Sequence, residues 1–394
     1  MEEKKRSIQR ECFTLAELAE SCPELLELKN IRQNPDYHAE GDVYRHTEMV
    51  CEELLLLPEW QKLTCEEQRL LFFAAAFHDI GKAVCTRQED GIWVSPGHTK
   101  AGEKIFRGMV YRESGIFALA IRERETVAKL IRYHGLPVWF WTRKRPEAAL
   151  LTAAECVPMH LLYLLSRADT MGREGTGRDN LKENVELFAD CAKELGIWRQ
   201  PYQFANPYAR YQYFHREDMW QGAELYDDTE FDVILLSGLP LAGKDSWIAE
   251  HGTDMPVISL DDIREERGTA PEEGSGRVVR EAVERARILL RRKEPFIWNA
   301  TNIIQETRQK LVRLFAGYGA RVHILYLEVP YLELLARNRT RARHIPETVL
   351  EKMIRKLEPP EPWEAYEVKW LSCKEGDTQK ADKKADKNKI KTEK

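Results

Sequence analysis

The hydrophobic pattern of this chain changes once, near Gly196, and this change limits the available folds more than any other sequence feature. Before Gly196, apolar residues recur at helical spacing in segments such as EMVCEELLLL, QRLLFFAAAFHDI and MHLLYLLSRAD. After Glu230, short apolar runs rich in strand-forming residues (VILLSG, PVISLD, PFIWNATN and VHILYLEV) alternate with helical patterns. We therefore predict a multidomain protein in which an all-α domain precedes an α/β domain with a parallel sheet.

The length of 394 residues is sufficient for two domains, each with its own hydrophobic core. We place the domains at residues 1–200 and 229–372, with an aromatic and polar connector at 201–228 whose rings are suited to stacking on bases. Residues 373–394 form a lysine-rich run of low complexity, for which we predict a disordered tail, with transient phosphate contact as the alternative.

Charge and composition restrict where the protein acts. A net charge of −5 argues mildly against binding along an extended nucleic acid but allows a grip on a strand end by a few arginines. No apolar run reaches the ~18 residues that a membrane span needs, and the N-terminus lacks the apolar region of a secretory signal. The eight cysteines include no CxxC pair, which indicates reduced thiols. We predict a cytoplasmic protein that does not enter a membrane.

Six histidines and aspartates stand out in the N-terminal half: His46, His78, Asp79, His98, His134 and Asp169. Imidazole and carboxylate groups are ligands for divalent transition metals. An aspartate at the end of an apolar helix such as AAAFHDI is costly to bury unless it is paired or bound to metal. The spacings are too long for a zinc finger, so a site here requires several helices to converge. Any single one of these histidines is more often structural than a ligand.

The order of these six residues in an all-helical context resembles the HD superfamily of metal-dependent phosphohydrolases, over roughly residues 30–175. The local sequence at residues 38–47 and 78–82 strengthens the resemblance. The resemblance implies a core metal set of His46, His78, Asp79 and Asp169. It also implies that His98 and His134 are the additional ligands of two-metal members, with Asp79 bridging. The ion would be Mn²⁺, Ni²⁺, Co²⁺ or Zn²⁺, as one ion or two.

Lys82 follows the His78-Asp79 pair by one helical turn and lies on the same helix face. In this position it is suited to contact a phosphate or to assist the leaving group. A solvated lysine is the alternative.

In the C-terminal half, the strand VILLS leads into GLPLAGKDS, which fits the P-loop pattern G-x-x-x-x-G-K in its strand–loop–helix context. The glycines let backbone N–H groups converge on phosphate, and Lys244 reaches the β- and γ-phosphates. The sequence therefore predicts ATP and Mg²⁺ binding by Gly238, Gly243, Lys244, Asp245 and Ser246. Asp245 replaces the usual Ser or Thr ligand of Mg²⁺, and its carboxylate can hold the ion directly or through water. A degenerate loop that binds nucleotide without catalysis is the alternative.

Two further segments favour a kinase. Asp261 follows the strand PVIS, where a carboxylate faces the phosphates and can take a proton from an acceptor hydroxyl, and Arg264 lies three residues on. The alternative for this aspartate is a helix cap. The run ARNRTRARH, which includes Arg337 and Arg341, predicts a cationic lid over ATP, with a solvated helix face as the alternative.

These features resemble the phage-type polynucleotide 5′-hydroxyl kinases over residues 231–358. The resemblance implies that Asp261 is the general base and that Arg264 contacts the 3′ phosphate of the acceptor. It also implies that Arg337 and Arg341 grip the donor phosphates. The strand end WNATN resembles the segment that lines the same cleft.

The two halves together resemble the bacterial HD-domain polynucleotide kinases, which heal broken RNA or DNA ends. The resemblance implies a bifunctional enzyme that phosphorylates 5′-OH ends with ATP and removes a 2′,3′-cyclic phosphate or 2′-phosphate. Its partners would be RNA or DNA strand ends, and a ligase partner stays open. One alternative is a nucleotide-metabolism enzyme acting on free nucleosides or nucleotides, which the acidic pI favours. Another is an HD phosphohydrolase regulated by a non-catalytic P-loop module, which Asp245 suggests.

Overall fold

The computed structural model describes residues 14–113, 117–176, 178–251, 254–268, 275–341 and 344–372. The predicted lysine-rich tail at 373–394 lies outside these residues. The contacts within the chain divide it into two compact units, one ending at Gln203 and the other beginning at Phe204. The two units are described separately below.

The first unit is helical, as the periodicity predicts. Its α-helices are α1 (Leu15–Ser21), α2 (Val43–Leu56), α3 (Cys65–Phe77), α4 (Lys82–Cys85), α5 (His98–Arg112), α6 (Ile121–Tyr133), α7 (Leu136–Trp139), α8 (Pro146–Ala154), α9 (Met159–Met171) and α10 (Arg178–Glu194). Short 3₁₀ turns cover Pro23–Leu28, Trp60–Lys62 and Phe140–Thr142.

Helix α3 is the central helix of the first unit. A capping box begins it, in which the Thr64 side chain accepts from the Glu67 N–H and the Glu67 carboxylate accepts from the Thr64 N–H. Every residue of 70–77 is buried, and the helix packs against α2, α6 and α9. A helix that is apolar on all sides belongs in the interior of a domain. The polar pair His78-Asp79, directly after its last turn, is therefore carried into the interior as well.

A small hairpin interrupts the helices and was missed by the sequence prediction, which placed no strands in this half. Strands β1 (Arg87–Glu89) and β2 (Ile92–Val94) pair antiparallel around Asp90 and Gly91, both with positive φ. An Asp-Gly turn of this kind suits a two-residue hairpin. The three residues of β1 are polar and exposed, so this strand shows no apolar run that would mark it in the sequence.

The second unit alternates strands and helices. Its elements are α11 (Pro207–His215), β3 (Phe231–Ser237), α12 (Lys244–Glu250), β4 (Val257–Ser259), α13 (Leu260–Arg267), α14 (Ser275–Arg291), β5 (Phe296–Asn299), α15 (Gln305–Ala316), β6 (Ala320–Glu328), α16 (Tyr331–Thr340), α17 (Glu347–Arg355), a 3₁₀ turn (Pro362–Glu364) and β7 (Glu367–Ser372). The sheet has the order β4-β5-β3-β6-β7, and all its neighbouring strands are parallel.

Four of the five strands correspond to the predicted apolar runs, and β7 was missed. Strand β7 pairs with β6 alone, at the edge of the sheet, and its side chains are only partly buried. An edge strand with one neighbour has no need of a continuous apolar run. The residues EVKWLS alternate the charged Glu367 and Lys369 with apolar residues, so they lack the continuous apolar run that marked the other four strands, including β4 at the opposite edge.

Part of the aromatic connector is built into the second unit. Tyr211 of α11 belongs to the core beneath the sheet, and the rings of Phe204, Tyr213 and Phe214 pack against one another. Arg210 donates to the Tyr366 carbonyl at 3.0 Å. These packed rings are engaged within the unit, so the predicted stacking on bases concerns the other aromatic residues of the connector.

Among the described residues, no single helix has the length and hydropathy to cross a bilayer, and the consecutive helices α8 and α9 reach them only as a pair bent by 110°.

Candidate active sites

The first unit brings the six predicted histidines and aspartates together at the end of α3; we call these six residues the His/Asp cluster. One side of the cluster gathers around Asp79 Oδ2. His78 Nε2 lies 3.2 Å and His46 Nε2 3.8 Å from this oxygen, and His46 Nε2 lies 3.1 Å from Asp169 Oδ1. His46 comes from α2 and Asp169 from α9, the two helices that flank α3.

The other side of the cluster gathers around Asp79 Oδ1. His98, the first residue of α5, places its Nε2 3.3 Å from this oxygen, and His134, just after α6, places its Nε2 4.0 Å away. Ligand atoms held about 2.0–2.2 Å from a metal lie about 3–4 Å from one another. The spacing on both sides therefore fits a divalent ion, and Asp79 presents one oxygen to each side.

Backbone hydrogen bonds set the tautomer of three histidines. In each, Nδ1 donates to the carbonyl three residues earlier: His78 to Ala75 at 2.8 Å, His98 to Ser95 at 2.8 Å and His134 to Ile131 at 2.9 Å. A carbonyl only accepts, so Nδ1 carries the proton and Nε2 presents a lone pair toward Asp79. Burial lowers the pKa of His134 to about 3, which favours the neutral imidazole that binds metals.

The fourth histidine is oriented by a carboxylate that the sequence prediction did not assign. Glu40 Oε1 lies 2.8 Å from Nδ1 of His46 and 2.8 Å from Nδ1 of His38, and Oε2 accepts from the Glu174 N–H at 3.0 Å. Burial acts to raise the pKa of Glu40, but the hydrogen bonds from the two histidines lower it well below its usual range.

Several atoms of the cluster are hydrogen-bond acceptors that face one another, although His46 Nε2 lies within hydrogen-bond distance of Asp169 Oδ1, at 3.1 Å. Within the described part of the chain, the buried atoms His78 Nε2 and Asp79 Oδ1 have no hydrogen-bond partner. Buried polar atoms are rarely left without one, and lone pairs at these distances repel unless a cation lies between them. The donor set therefore fits a bound divalent ion on chemical grounds as well as by distance.

Two cations lie against the carboxylates of the cluster. Lys82 Nζ lies 2.7 Å from Asp79 Oδ2 and donates to Gln33 Oε1 at 2.6 Å; the lysine is buried rather than solvated. Arg173 forms a bidentate pair with Asp169, at 3.0 and 2.5 Å. Burial acts to raise the pKa of Asp79, but the charge of Lys82 and the neighbouring histidine lower it well below its usual range.

Helices α5 and α6, which carry His98 and His134, are joined by buried ion pairs. Arg107 lies 2.6 Å from Glu103 and 2.7 Å from Glu125, and Lys129 Nζ lies 2.7 Å from Glu103. The Arg107–Glu125 and Lys129–Glu103 pairs connect one helix to the other, and the Arg107–Glu103 pair lies within α5. The ion pairs thereby fix the relative position of the two histidines.

In the second unit, the P-loop follows β3 at the centre of the sheet. Gly238 and Gly243 have φ of 152° and 97°, and a Cβ at Gly238 would lie 2.4 Å from the Leu327 carbonyl oxygen. Lys244 Nζ donates to the Gly238 and Leu239 carbonyls at 3.2 and 2.9 Å. Burial lowers the pKa of Lys244 to about 8, against the opposing charges of two nearby aspartates.

The predicted metal-binding aspartate of the P-loop is held by the strand beside it. Asn299, at the end of β5, donates to Asp245 Oδ1 at 2.7 Å, and Ser246 is exposed in the first turn of α12. The segment WNATN also reaches the loop itself, because the Gly238 N–H donates to the Thr301 carbonyl at 2.8 Å. The structure therefore places this segment beside the P-loop.

Asp261 stands directly after β4, one strand beyond β5, in the first turn of α13. Its side chain is 84% exposed and lies 2.5 Å from Nη1 of Arg264. The negative charges of Asp261 and Asp245 both act to raise the pKa of Lys244, whereas burial lowers it. Asp261 is therefore close enough to the P-loop lysine to interact with it electrostatically. The structure thus places Asp261, Arg264 and Lys244 just beyond the carboxyl ends of their strands, which is where ligands bind in open α/β folds.

The predicted lid arginines differ in their placement. Arg337 of α16 lies on the P-loop, since its Nη1 donates to the Leu241 carbonyl at 2.9 Å, and it pairs with Glu333 at 2.5 Å. Arg341 caps the C-terminus of α16 and is exposed. Residues 342–343 of the cationic run lie outside the described residues.

Comparison with known proteins gives each unit a family match. Residues 42–156 match the family model described as the HD domain, and residues 233–360 match that of the AAA domain. A stretch of 173 residues is 29% identical to the Multifunctional CCA protein of Pasteurella multocida (strain Pm70), and this stretch makes up 39% of the chain. The chain spans about a third (36%) of the length of that relative.

The chain carries an HD domain followed by a P-loop domain of kinase-like α/β fold. The predicted fold class is thereby confirmed. The HD match ends at residue 156, before the helix that carries Asp169. The approach of Asp169 to the other five residues of the cluster is thus a contribution of the structure.

Three residues of the HD domain site were missed from the sequence: Gln33, Glu40 and Arg173. Glu40 lies in the sequence between His38 and His46, and Arg173 lies one helical turn after Asp169. Both could therefore have been found from their closeness in the sequence to predicted site residues. Gln33 gave none, since it meets Lys82 across 49 positions of the sequence. Only the fold brings these two side chains together.

Proposed function

We propose that this chain heals nucleic-acid ends, phosphorylating 5′-hydroxyls with ATP and hydrolysing 2′,3′-cyclic phosphates or 2′-phosphates at 3′ ends. The observation that carries the proposal is the presence in one chain of two phosphate-handling centres. One is the His/Asp cluster around both oxygens of Asp79, in which His78 Nε2 and Asp79 Oδ1 are buried without a hydrogen-bond partner among the described residues. The other is the P-loop lysine, Lys244, which lies with Asp261 at the carboxyl ends of the parallel strands.

In the HD domain, His46, His78 and Asp79 would hold one divalent ion, with Asp169 3.1 Å from His46 as a further ligand, and Asp79, His98 and His134 would hold a second. Such ions lower the pKa of a coordinated water and offset charge on phosphoryl oxygens. Mn²⁺, Ni²⁺, Co²⁺ and Zn²⁺ suit these ligands.

The other residues of this site act on the phosphoester and on its leaving oxygen. Lys82, held between Asp79 and Gln33, carries a proton close to the cluster and donates it to the leaving ribose oxygen. Arg173 balances the charge of Asp169 and keeps both of its oxygens in place. These roles account for the burial of two cations at the centre of a small domain.

In the P-loop domain, the loop N–H groups and Lys244 bind the β- and γ-phosphates of ATP, and Asp245, oriented by Asn299, contributes to Mg²⁺. Asp261 accepts the proton of the 5′-hydroxyl as that oxygen attacks the γ-phosphorus and the bond to ADP breaks. Arg337 stabilises the charge of the transferred phosphoryl group from its place on the loop. Arg264 orients Asp261 and contacts the acceptor phosphate, and Arg341 completes the grip on the donor.

The test incubates the protein, ATP and Mg²⁺ or Mn²⁺ with an oligonucleotide that has a 5′-OH and a 2′,3′-cyclic phosphate. We expect both ends to change, with Asp261→Ala abolishing only the kinase reaction and Asp79→Ala only the hydrolysis. Asp262→Ala and Asp190→Ala, which remove exposed carboxylates of the same two domains, serve as matched controls.

Other outcomes select another function. Turnover of free nucleosides or nucleotides, with the oligonucleotide unchanged, would assign the chain to nucleotide metabolism. Hydrolysis that responds to ATP without phosphate transfer would assign the P-loop domain a regulatory role.

A further inference from the structure

The segment that follows His134 presents two tryptophans to solvent. Trp139, the last residue of α7, is 47% exposed, and Trp141, in the next 3₁₀ turn, is 50% exposed. Between them Phe140 is buried and packs against Phe188 of α10, with ring centroids 6.0 Å apart. The segment is therefore anchored by the middle ring and turns the two outer rings outward.

Cationic side chains continue this surface. Arg143 and Lys144 are exposed directly after the second tryptophan, and Arg145 follows them. We call the surface of Trp139, Trp141, Arg143 and Lys144 the tryptophan platform. Exposed indoles beside consecutive cations are the combination with which proteins bind single-stranded nucleic acid, because every base has a face to stack and every nucleotide carries a charge.

The platform follows His134 in the chain, and His134 neighbours the one member of the His/Asp cluster that is partly exposed. His98 has a side chain 23% exposed, whereas the exposed fraction is at most 5% for each of the other five members. The His98 and His134 rings are neighbours, with centroids 5.4 Å apart. Arg132, which donates to Thr99 at 2.8 Å, adds a further partly exposed cation on this exposed side of the cluster.

The backbone leads from His134 to the platform without a break. His134 and Gly135 have right-handed helical angles, and α7 begins at the next residue. At about 1.5 Å per residue, the five steps from His134 to Trp139 cover about 8 Å. The backbone at Trp139 therefore lies about 8 Å along the chain direction from His134, one of the two histidines on the exposed side of the cluster.

We propose that the tryptophan platform binds the single-stranded polynucleotide that leads to the terminal phosphoester, its indoles stacking on bases and its cations contacting phosphates. This inference rests on the proposed function and names the surface by which the HD domain would select strand ends over mononucleotides. Tryptophan and arginine also occur in protein interfaces, and we favour nucleic acid because two consecutive exposed cations, Arg143 and Lys144, directly follow the indoles.

The test compares kcat/KM for a ten-nucleotide RNA ending in a 2′,3′-cyclic phosphate with kcat/KM for a 2′,3′-cyclic mononucleotide. A mononucleotide does not extend to the platform, so the ratio of the two values isolates its contribution. In the double variant Trp139→Ala/Trp141→Ala we expect the ratio to fall roughly 10- to 100-fold. Trp139→Phe/Trp141→Phe, which retains two rings, should recover most of it.

Leu187→Ala is the matched control, because Leu187 lies on α10 of the same domain and is 47% exposed. Its ratio should equal that of the unaltered protein. A double alanine variant with an unchanged ratio would overturn the proposal. An equal loss on both substrates would do so as well, since it would show that the tryptophans support the fold.

A binding measurement separates this inference from the proposed function. Fluorescence anisotropy with a labelled ten-nucleotide RNA ending in a 3′-OH needs no hydrolysis. We expect Arg143→Ala to reduce the slope of log affinity against log salt by about 0.7, the value for one phosphate contact on a single strand. If this RNA binds through the platform while no phosphoester is cleaved, the proposed function fails and the platform stands. If the phosphoester is cleaved but RNA affinity is the same in the tryptophan and Arg143 variants as in the unaltered protein, the platform proposal is wrong and the proposed function stands.

Discussion

At the scale of single residues, Glu40 controls His46 from the side that faces away from Asp79. Its carboxylate holds the Nδ1 proton, so the lone pair of Nε2 points toward Asp169 and Asp79. Carboxylates in this position orient metal-binding histidines and strengthen their basicity.

Glu40→Gln should therefore weaken metal binding by about 10- to 100-fold, since an amide can also present its donor to the imidazole and favour the wrong tautomer. Titration calorimetry with Mn²⁺ measures the change. Glu48→Gln, at a more exposed carboxylate of α2, should leave the affinity as it is. Equal affinities of the unaltered protein and Glu40→Gln would contradict the orienting role.

Lys244 gives the P-loop domain a predicted pH dependence. With the pKa lowered to about 8 by burial, the lysine is charged at pH 7 and loses its proton as the pH rises through 8. Only the charged form attracts phosphate, so the dissociation constant for ATP should rise about tenfold between pH 7 and pH 9. A fluorescent ATP analogue reports this constant. Lys244→Arg, charged throughout, should flatten the profile, and a flat profile in the unaltered protein would refute the assignment.

At the scale of elements, Gly81 determines how closely α5 approaches the end of α3. A Cβ at this position would lie 2.0 Å from the His98 carbonyl oxygen and 2.6 Å from the Gly102 nitrogen. Both atoms belong to the backbone, so the start of α5 would have to move.

Gly81→Ala should displace His98 from Asp79 and lower the number of divalent ions bound per chain, or the affinity of the weaker one by at least about tenfold. Metal analysis after equilibrium dialysis gives the number. Gly135→Ala is the control, since its Cβ would meet no atom within 4 Å and its φ is −81°. If Gly81→Ala binds metal like the control, the close approach has no part in the site.

The ion pairs between α5 and α6 make a prediction about stability. Arg107→Met removes the shared partner of the buried Glu103 and Glu125, which keep Lys129 and Arg124 as partners, so the free energy of unfolding should fall by about 1.5–3 kcal/mol, the worth of hydrogen bonds to charged groups. Urea denaturation measures the loss, and Arg122→Met, on the exposed side of α6, should change it little. A loss below about 1 kcal/mol would mean that the network relaxes around the gap.

The elements that sequence reasoning found and missed differ in their physical origin. The long helices are marked by their own periodicity, four of the five strands of the sheet by continuous apolar runs, and six ligand-type residues by their chemistry. The short hairpin at Asp90 has an exposed first strand, and β7 alternates charged with apolar residues, so neither shows such a run. Gln33 and Lys82 meet only through tertiary contact, which no local pattern records.

At the scale of the whole molecule, two units each with its own buried core carry separate binding sites. A ligand stabilises the unit that binds it, by about 2.7 kcal/mol when present at 100 times its dissociation constant. Calorimetry should therefore show Mn²⁺ raising one thermal transition and ATP another. Asp79→Ala should lose only the first response and Lys244→Ala only the second. A single transition that responds to both ligands would contradict this.

The two oxygens of Asp79 also bear on metal selectivity. Each oxygen faces a different set of histidines, yet both move with one carboxyl group. A change that adapts one side to a larger ion tilts the group and alters the distances on the other side. Adaptation to a new metal must therefore alter both sides together, so single substitutions that re-tune one half are expected to be rare among descendants of this domain.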